Sequence, residues 1–200
     1  MIIINIILLD LNYDNILMDK YIYISIPKTG TNSVHEILGN TRYNHIKAET
    51  ILKKIGDKEY QKKTSFCFIR NPVDLVKSWY YYHKYSPNVI RKDVKNFYPA
   101  TIDEWVLDMN CRTHWEQPKH RKYNPDWNIQ ESPLHQLSWI TNKNNKIIVD
   151  HVLSFDDFNN EIKKLLGVKP TQKNSSNKDT FTLKHTTELR IKQLFKMDIE

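Results

Sequence analysis

Glycine, cysteine and arginine are scarce in this chain of 200 residues, which has four glycines, two cysteines and only six arginines among its 30 basic residues. Four glycines and eight prolines exclude collagen-like and flexible low-complexity chains. The two cysteines, Cys67 and Cys111, exclude a disulfide framework, and neither lies in the CxxC or Cys/His spacing of a zinc site. Because Cys67 lies in the apolar run 66–69, we expect a buried thiol rather than a reactive one.

Long hydrophobic runs are also missing. The apolar run at residues 2–9 is far shorter than the roughly 20 residues that span a bilayer. No basic residue precedes it, as a signal peptide would require. We therefore expect a soluble, cytoplasmic protein without a membrane span; a leader of unusual type is the alternative.

The charge is unequal, with 30 Lys and Arg against 23 Asp and Glu and a formal net charge of +7. Such an excess favours an anionic partner: nucleic acid, a membrane surface, a nucleotide or an acidic glycan. The abundance of Lys, Asn and Ile is also typical of codon bias, which weakens that inference. A hydrophobic content of 40% with 12% aromatics suffices for a core and excludes a disordered tail. The length predicts a single domain over residues 1–200.

Strand patterns alternate with helical patterns along the chain. Strands are predicted at Tyr21 to Ile26, near 42–45, at Ser65 to Ile69 and at Lys146 to Leu153. Helical patterns follow these strands, among them 156–166 and 186–197. This alternation predicts an α/β fold with a central parallel β-sheet flanked by helices.

Two parts of the chain depart from this pattern. Residues 1–20 are interpreted as a divergent N-terminal extension. Residues 86–135 carry many Pro, Asn, Trp, Tyr and His with little periodicity, and they predict an irregular insertion of loops and helices on the side where ligands of such folds bind. One clear signal inside the insertion is Thr101 followed by Glu104, a capping box that begins a helix.

The loop after the first strand is rich in polar groups. It comprises Lys28, Thr29, Gly30, Thr31, Asn32 and Ser33. A loop that enters a helix N-terminus points backbone N–H groups outward, and Lys28 adds a full charge, so the segment suits a phosphate or a sulfate. It is not a Walker A loop, because Lys28 precedes Gly30. The alternative is an ordinary turn with a solvated lysine.

A second polar group follows the second predicted strand. Arg70 stands at its carboxyl end, and Ser78 lies eight positions later, about two turns into the next predicted helix. The planar guanidinium suits phosphate oxygens, and the serine hydroxyl adds a neutral donor. A surface ion pair between Arg70 and Asp74 is the alternative. With the first loop, this predicts two anion sites in one crevice, as a nucleotide with two separated phosphate groups would need.

These segments resemble the carbohydrate sulfotransferases of the Golgi type and their soluble relatives, which use 3′-phosphoadenosine 5′-phosphosulfate (PAPS). Residues 27–33 resemble the family's 5′-phosphosulfate loop, and Arg70 to Ser78 resembles its 3′-phosphate motif. Asn44-His45 resembles its histidine segment, residues 147–158 its late strand and helix, and Lys173 to Ser176 its C-terminal nucleotide loop. The match runs from about Tyr21 to the last helix, without the insertion.

The resemblance implies a sulfotransferase fold related to P-loop NTPases, and transfer of a sulfuryl group from PAPS to a hydroxyl, with a carbohydrate as the expected acceptor and no metal. The implied nucleotide-binding residues are Lys28, Thr29, Gly30, Thr31, Asn32, Ser33, Arg70, Ser78, Lys173, Asn174 and Ser175. Three departures stand out: Leu75 replaces a frequent second arginine, Asn32 stands where Thr or Gly is usual, and the first seventeen or so residues have no counterpart.

The implied catalytic residues are Lys28, at the bridging oxygen, and His45, as the base that accepts the acceptor proton. A neutral imidazole suits this role because it titrates near working pH. The sequence has eight histidines, most of them expected at the surface or in caps. The alternative bases are His35, Glu36 and Glu49.

Two segments, residues 174–176 and the insertion, each have two possible interpretations. Residues Asn174 to Ser176 also form an N-glycosylation sequon, although the nucleotide-loop interpretation is favoured in the absence of a secretory signal. In the insertion, basic side chains from Lys119 to Lys122 are candidates for holding an acidic acceptor. The aromatics there either stack on sugar rings or belong to a core: Trp115, Tyr123 and Trp127.

Other functions compete with sulfuryl transfer. A nucleotide kinase with an unusual phosphate loop is one, and the missing GK[ST] counts against it. A basic nucleic-acid-binding module without chemistry is another, supported by charge and aromatics but by no recognised reading motif, so no nucleic-acid partner is expected. A sulfotransferase-like protein that keeps the nucleotide loop after losing its acceptor is a third.

Overall fold

The computed structural model describes residues 19–39, 45–87, 89–114, 132–168, 170 and 182–198. The strands and helices found there are, in chain order, β1 (Tyr21–Ile24), α1 (Thr31–Ile37), α2 (Ala48–Ile55), α3 (Asp57–Gln61), β2 (Thr64–Ile69), α4 (Pro72–Tyr85), α5 (Lys92–Phe97), α6 (Ile102–Leu107), α7 (Leu137–Ile140), β3 (His151–Ser154), α8 (Phe158–Leu166) and α9 (His185–Leu194). Short 3-10 helices cover Phe155–Asp157 and Lys196–Asp198.

The three strands form a parallel sheet in the order β1-β2-β3. Tyr21 pairs with Thr64 at the start of β1, and Phe66 pairs with His151 at the start of β3. Helices lie between consecutive strands in the chain, as parallel connections require. The α/β class with a parallel sheet and helices is therefore confirmed.

Contacts group the chain into two compact units. The first comprises Met1–Ile69 and Trp139–Ser176, and the second Arg70–Ser138 and Asn177–Glu200. Each has its own buried core. The single-domain organisation over residues 1–200 stays a prediction.

The core of the first unit forms where the sheet packs on α1 and α8. All four residues of β1 are buried, which is typical of a parallel strand covered on both faces. The buried residues of this core are Tyr21, Tyr23, Val34, Leu38, Phe66, Phe68, Ile162 and Leu166. Cys67 is fully buried in β2, so the expectation of a buried thiol is confirmed, and this burial raises the pKa of the thiol to about 12.

The core of the second unit is aromatic and centres on α4. Trp79 and Tyr80 of α4 are buried together with Tyr98 and Trp105, and the Tyr80 and Trp105 rings stack at 5.7 Å between centroids. Leu75, at the position where the resembling family often has a second arginine, is 1% exposed and belongs to this core.

One predicted strand is wrong over much of its length. The pattern at Lys146 to Leu153 predicted a strand, but β3 spans only His151–Ser154. Thr141 and Ile147 instead form an isolated antiparallel bridge across a tight turn. Residue 147 is thereby paired away from the sheet, and directly before β3 the Asp150 carboxylate accepts both the N–H and the hydroxyl of Ser65, each at 2.8 Å. The ladder between β2 and β3 begins with the next pair, Phe66 and His151.

Helix boundaries shift by smaller amounts. The capping box is confirmed, because the Thr101 hydroxyl accepts from the Glu104 N–H and the Glu104 carboxylate accepts from the Thr101 N–H. The predicted helix 156–166 begins as a 3-10 turn, since the Ser154 hydroxyl accepts from the Asp156 N–H. The predicted helix 186–197 ends earlier, at Leu194. The predicted strand near 42–45 lies mainly outside the described residues.

Candidate functional site

The loop between β1 and α1 is held together by its own hydroxyl groups. The Thr29 hydroxyl donates to the Ile26 carbonyl at 2.8 Å, and the Thr31 hydroxyl donates to the same oxygen at 3.2 Å. Ser25 Oγ donates to Thr31 Oγ1 at 3.1 Å. Ser25, Thr29 and Thr31 are buried. These hydroxyls therefore help to fix the shape of the loop, because Thr29 and Thr31 both donate to its backbone.

Two residues of this loop have left-handed backbone. Lys28 has a φ of 68° and Gly30 a φ of 81°. The left-handed region costs a non-glycine residue about 1–2 kcal/mol, and such strain concentrates at functional sites. The loop also packs tightly, because a Cβ on Gly30 would lie 2.9 Å from Cε2 of Phe158 and 3.0 Å from Cε2 of Phe155. Glycine is required here for conformation and for space.

The loop leads directly into the first turn of α1, where Gly30 is the N-cap. The Ser33 and Val34 N–H groups donate to the Gly30 carbonyl at 3.0 and 3.2 Å. The first N–H groups of an α-helix come before its regular i to i−4 hydrogen bonds begin. Asn32, in this first turn, is exposed. Half-buried Lys28 thus stands three residues before a helix that begins at Thr31.

His45 joins this loop through its imidazole. Nδ1 of His45 lies 2.8 Å from the Ser25 carbonyl oxygen and 3.4 Å from Ser25 Oγ. A carbonyl only accepts hydrogen bonds, so Nδ1 carries the hydrogen and Nε2 carries the lone pair of the neutral ring. The ring also meets Trp139 edge-on, at 6.4 Å between centroids. The structure therefore brings His45 to the loop that holds Lys28.

The pKa of His45 is lowered from its ordinary value, mainly because burial disfavours the cation. The Lys28 ammonium lowers it further, while the bond to the Ser25 carbonyl acts in the opposite direction. A lowered pKa keeps the imidazole neutral, and hence able to accept a proton, at physiological pH.

The alternative bases have different surroundings. The His35 ring packs edge-on against Tyr23 at 5.9 Å, and among the described residues its buried Nε2 has no hydrogen-bond partner. Burial, followed by the charge of His45, lowers the pKa of His35. Glu49 pairs with Lys53 at 3.2 Å, and its hydrogen bond to Lys53 is the main reason for its lowered pKa. Glu36 lies on the exposed surface of α1.

Arg70 and Ser78 belong to the second unit and are both half-buried. Arg70 follows β2 directly, and the Asn71 side chain then caps α4 by accepting from the Val73 N–H at 2.9 Å. Pro72 begins the helix, where its missing N–H costs nothing. Ser78 lies within α4. The backbone of Arg70 is bonded on both sides by Gln136.

Sequence reasoning missed two residues of these surroundings. Ser25 has no assigned role within the predicted strand Tyr21 to Ile26, although its position near the end of a buried strand is a usable signal for a carbonyl facing the loop. Gln136 lies just outside the predicted insertion, and no pattern in the sequence marks it. The other predicted residues lie outside the described part of the chain: Lys173, Asn174, Ser175, Trp115, Tyr123, Trp127 and the segment Lys119 to Lys122.

Comparison with protein-family models, with curated proteins and with solved structures found no match to this chain. None of the helices among the described residues is long and apolar enough to cross a membrane. Within the same residues there is no cluster of three or more His, Cys, Asp or Glu side chains that could hold a metal ion.

Proposed function

We propose that this protein is a PAPS-dependent sulfotransferase with the corresponding P-loop-like fold, acting on a hydroxyl group of a carbohydrate. The observation that carries the proposal is the 2.8 Å contact between His45 Nδ1 and the Ser25 carbonyl. It fixes an imidazole whose other nitrogen is basic, on the loop that also holds Lys28. A positioned base beside a positive loop is what sulfuryl transfer to a hydroxyl requires.

The donor supplies an activated sulfuryl group on a phosphate leaving group. The acceptor oxygen bonds to sulfur while the bond from sulfur to the bridging phosphate oxygen breaks, and the acceptor proton passes to Nε2 of His45. We assign to Lys28 the stabilisation of the negative charge that grows on the leaving oxygen. As in phosphoryl transfer, positioning and charge stabilisation supply most of the rate.

The residues present fit such a donor. Lys28 is half-buried in a strained conformation, and the hydroxyls of Thr29 and Thr31 are committed to the loop backbone. We therefore assign to Gly30, Thr31 and Asn32 a role through their backbone N–H groups in the loop and the first turn of α1. The resemblance adds Ser33, whose own N–H donates to the Gly30 carbonyl. From the resemblance, we assign Arg70 and Ser78 to the 3′-phosphate, and Lys173, Asn174 and Ser175, which lie outside the described residues, to the nucleotide.

The first test is calorimetric titration with adenosine 3′,5′-bisphosphate, the product nucleotide, followed by a glycan acceptor screen with labelled PAPS. We expect magnesium-independent binding and transfer of label to a hydroxyl acceptor. Lack of binding by the wild-type protein would contradict the proposal. Turnover of ATP that depends on magnesium would instead support a nucleotide kinase.

Two variants test the assigned roles. Lys28→Ala is expected to lower transfer by about 10²–10³-fold, as loss of an anion-stabilising donor does. His45→Asn is expected to lower it by about 10²–10⁴-fold through loss of the base. Asparagine suits position 45 because its amide can still donate to the Ser25 carbonyl and because it tolerates the φ of 52° found there. Lys58→Ala, an exposed lysine of α3, is the matched control.

A further inference from the structure

The Gln136 side chain forms hydrogen bonds with both backbone groups of Arg70. Oε1 of Gln136 accepts from the Arg70 N–H at 2.7 Å, and Nε2 donates to the Arg70 carbonyl at 2.8 Å. Gln136 is 1% exposed, so these bonds are shielded from water. The side-chain amide of Gln136 thus gives Arg70, the residue after β2, the two backbone hydrogen bonds that a neighbouring strand would otherwise provide.

Gln136 is itself held by a buried carboxylate. The backbone N–H groups of Gln136 and Leu137 donate to the two oxygens of Asp198, one to each, at 3.0 Å. The Asp198 side chain is 1% exposed, and Nδ1 of His135 lies 3.8 Å from one of its oxygens. The 3-10 helix Lys196–Asp198 therefore fixes the backbone at Gln136, and Gln136 fixes the backbone at Arg70.

Stability alone does not explain this buried network of Arg70, Gln136 and Asp198. Burying a glutamine amide and a carboxylate requires every polar atom to find a partner, and apolar side chains of similar size would fill the same space without that requirement. What the polar network adds is a defined backbone position for one residue. That residue is the arginine to which the 3′-phosphate is assigned.

We propose that Gln136 is a positioning residue, which sets the backbone of Arg70 so that its guanidinium selects nucleotides carrying a 3′-phosphate. This inference rests on the proposed function. Gln136 does not touch the nucleotide in this role; it acts through Arg70. Its loss should therefore reduce the preference for the 3′-phosphate and leave binding of the rest of the nucleotide nearly unchanged.

The test compares two probes by calorimetry, adenosine 3′,5′-bisphosphate and adenosine 5′-phosphate. The Kd for adenosine 5′-phosphate divided by the Kd for adenosine 3′,5′-bisphosphate measures what the 3′-phosphate contributes to binding. We expect Gln136→Leu to lower this ratio about tenfold, which is the scale of one well-made hydrogen bond to a charged group. Arg70→Ala should lower it at least as far. Gln193→Leu removes an exposed glutamine of α9 that pairs with Arg190, and it should leave the ratio unchanged.

Two further variants keep the test decisive if Gln136→Leu fails to fold. Gln136→Glu keeps an acceptor for the Arg70 N–H but loses the donor to the Arg70 carbonyl, so we expect an intermediate ratio. Asp198→Asn replaces one carboxylate oxygen by a donor and should lower the ratio in the same direction. Thermal unfolding of each variant identifies those that are folded.

The outcomes separate this inference from the function on which it rests. A wild-type protein that binds neither probe, or both equally, contradicts the proposed function. If the wild-type protein is selective, and the ratio falls in Arg70→Ala but not in folded variants of Gln136, the positioning role alone is overturned. Equal weakening of both probes in the Gln136 variants also overturns it, because a merely structural role predicts that result.

Discussion

His45 donates from Nδ1 to the carbonyl oxygen of Ser25 at 2.8 Å, across twenty positions of sequence. This single contact decides which imidazole nitrogen is basic in the neutral ring. It also ties the residue to the end of β1, beyond which the chain turns through the Lys28 loop. Burial and the Lys28 charge then keep the pKa of His45 below its ordinary value of 6.5.

The first prediction concerns the charge of Lys28. We expect Lys28→Met to raise the pKa of His45, because the variant removes a nearby positive charge that disfavours the imidazolium. The measurement is an NMR titration of the histidine ring signals, with the His45 signal assigned from its absence in His45→Asn.

The same lowered pKa has a kinetic consequence in the wild-type protein. The fall of kcat/KM on the acid side of its pH profile should have its midpoint below pH 6.5, since transfer needs the neutral ring.

Lys58→Met, on the exposed surface of α3, provides the control for this titration. It should leave the His45 midpoint where it is. A His45 midpoint that is the same in Lys28→Met as in the wild type would contradict the placement of the ammonium near the ring.

The second prediction compares two glycines with similar backbone and different surroundings. Gly30 and Gly167 have φ values of 81° and 73°, but a Cβ at Gly30 meets Phe158 at 2.9 Å while a Cβ at Gly167 meets nothing within 4 Å. Gly167→Ala should lose about 1 kcal/mol of stability from the left-handed backbone. Gly30→Ala should lose about 1–3 kcal/mol more from overpacking. Urea unfolding curves measure both, and equal losses would rule out the close approach.

The third prediction concerns the Asp150 carboxylate, which binds Ser65 directly before β3. Asp150→Ala should lower the free energy of unfolding by about 1–3 kcal/mol, because it leaves the N–H of buried Ser65 without its acceptor. Ser65→Ala should cost less, since the N–H bond to Asp150 remains and the N–H of exposed Asp150, which donates to the Ser65 hydroxyl, can bond to water instead. Asp156→Ala, at an exposed position, serves as the control and should change stability by about 0.5 kcal/mol at most. An Asp150→Ala variant as stable as this control would contradict the role.

The parts of the fold that the sequence predicts are those with strong local signals. The buried run of β2 and the capping box at Thr101 and Glu104 are both where the pattern placed them. The left-handed Gly30 belongs to a loop identified from its polar residues and its position between strand and helix. In each case the signal lies in residues that are close together in the sequence.

The parts that the sequence does not predict depend on contacts between distant residues. Residues 147–149 form a β-branched run typical of a strand, yet Asp150 binds Ser65, which lies 85 positions away. Gln136 acquires its role from Arg70, 66 positions away, and from Asp198, 62 positions away. Only tertiary structure brings such partners together, and neither periodicity nor composition carries that information.

A chain of hydrogen bonds in the second unit ends at His114, a partly buried histidine with a lowered pKa. Nε1 of Trp79 donates to the Tyr98 hydroxyl at 2.8 Å, and that oxygen lies 3.0 Å from Nδ1 of His114. The Tyr98 hydroxyl accepts from Trp79, and its own hydrogen can be donated to Nδ1 when the His114 ring is neutral. Burial, and after it the charge of Arg91, lowers the pKa of His114 to about 4.

The fourth prediction is that His114 makes the folded state less stable in acid. Between pH 6.5 and about 4 the unfolded chain binds a proton at this imidazole that the folded chain does not, so stability falls as the pH falls through that window. His114→Gln carries no proton at either pH, and its stability should therefore decline less steeply over the same range. The measurement is the urea midpoint of both proteins at pH 7, 6 and 5. His185→Gln, exposed at the start of α9, is the control and should decline as the wild type does. Equal slopes for His114→Gln and the wild type would show that the imidazole titrates alike in the folded and unfolded chain.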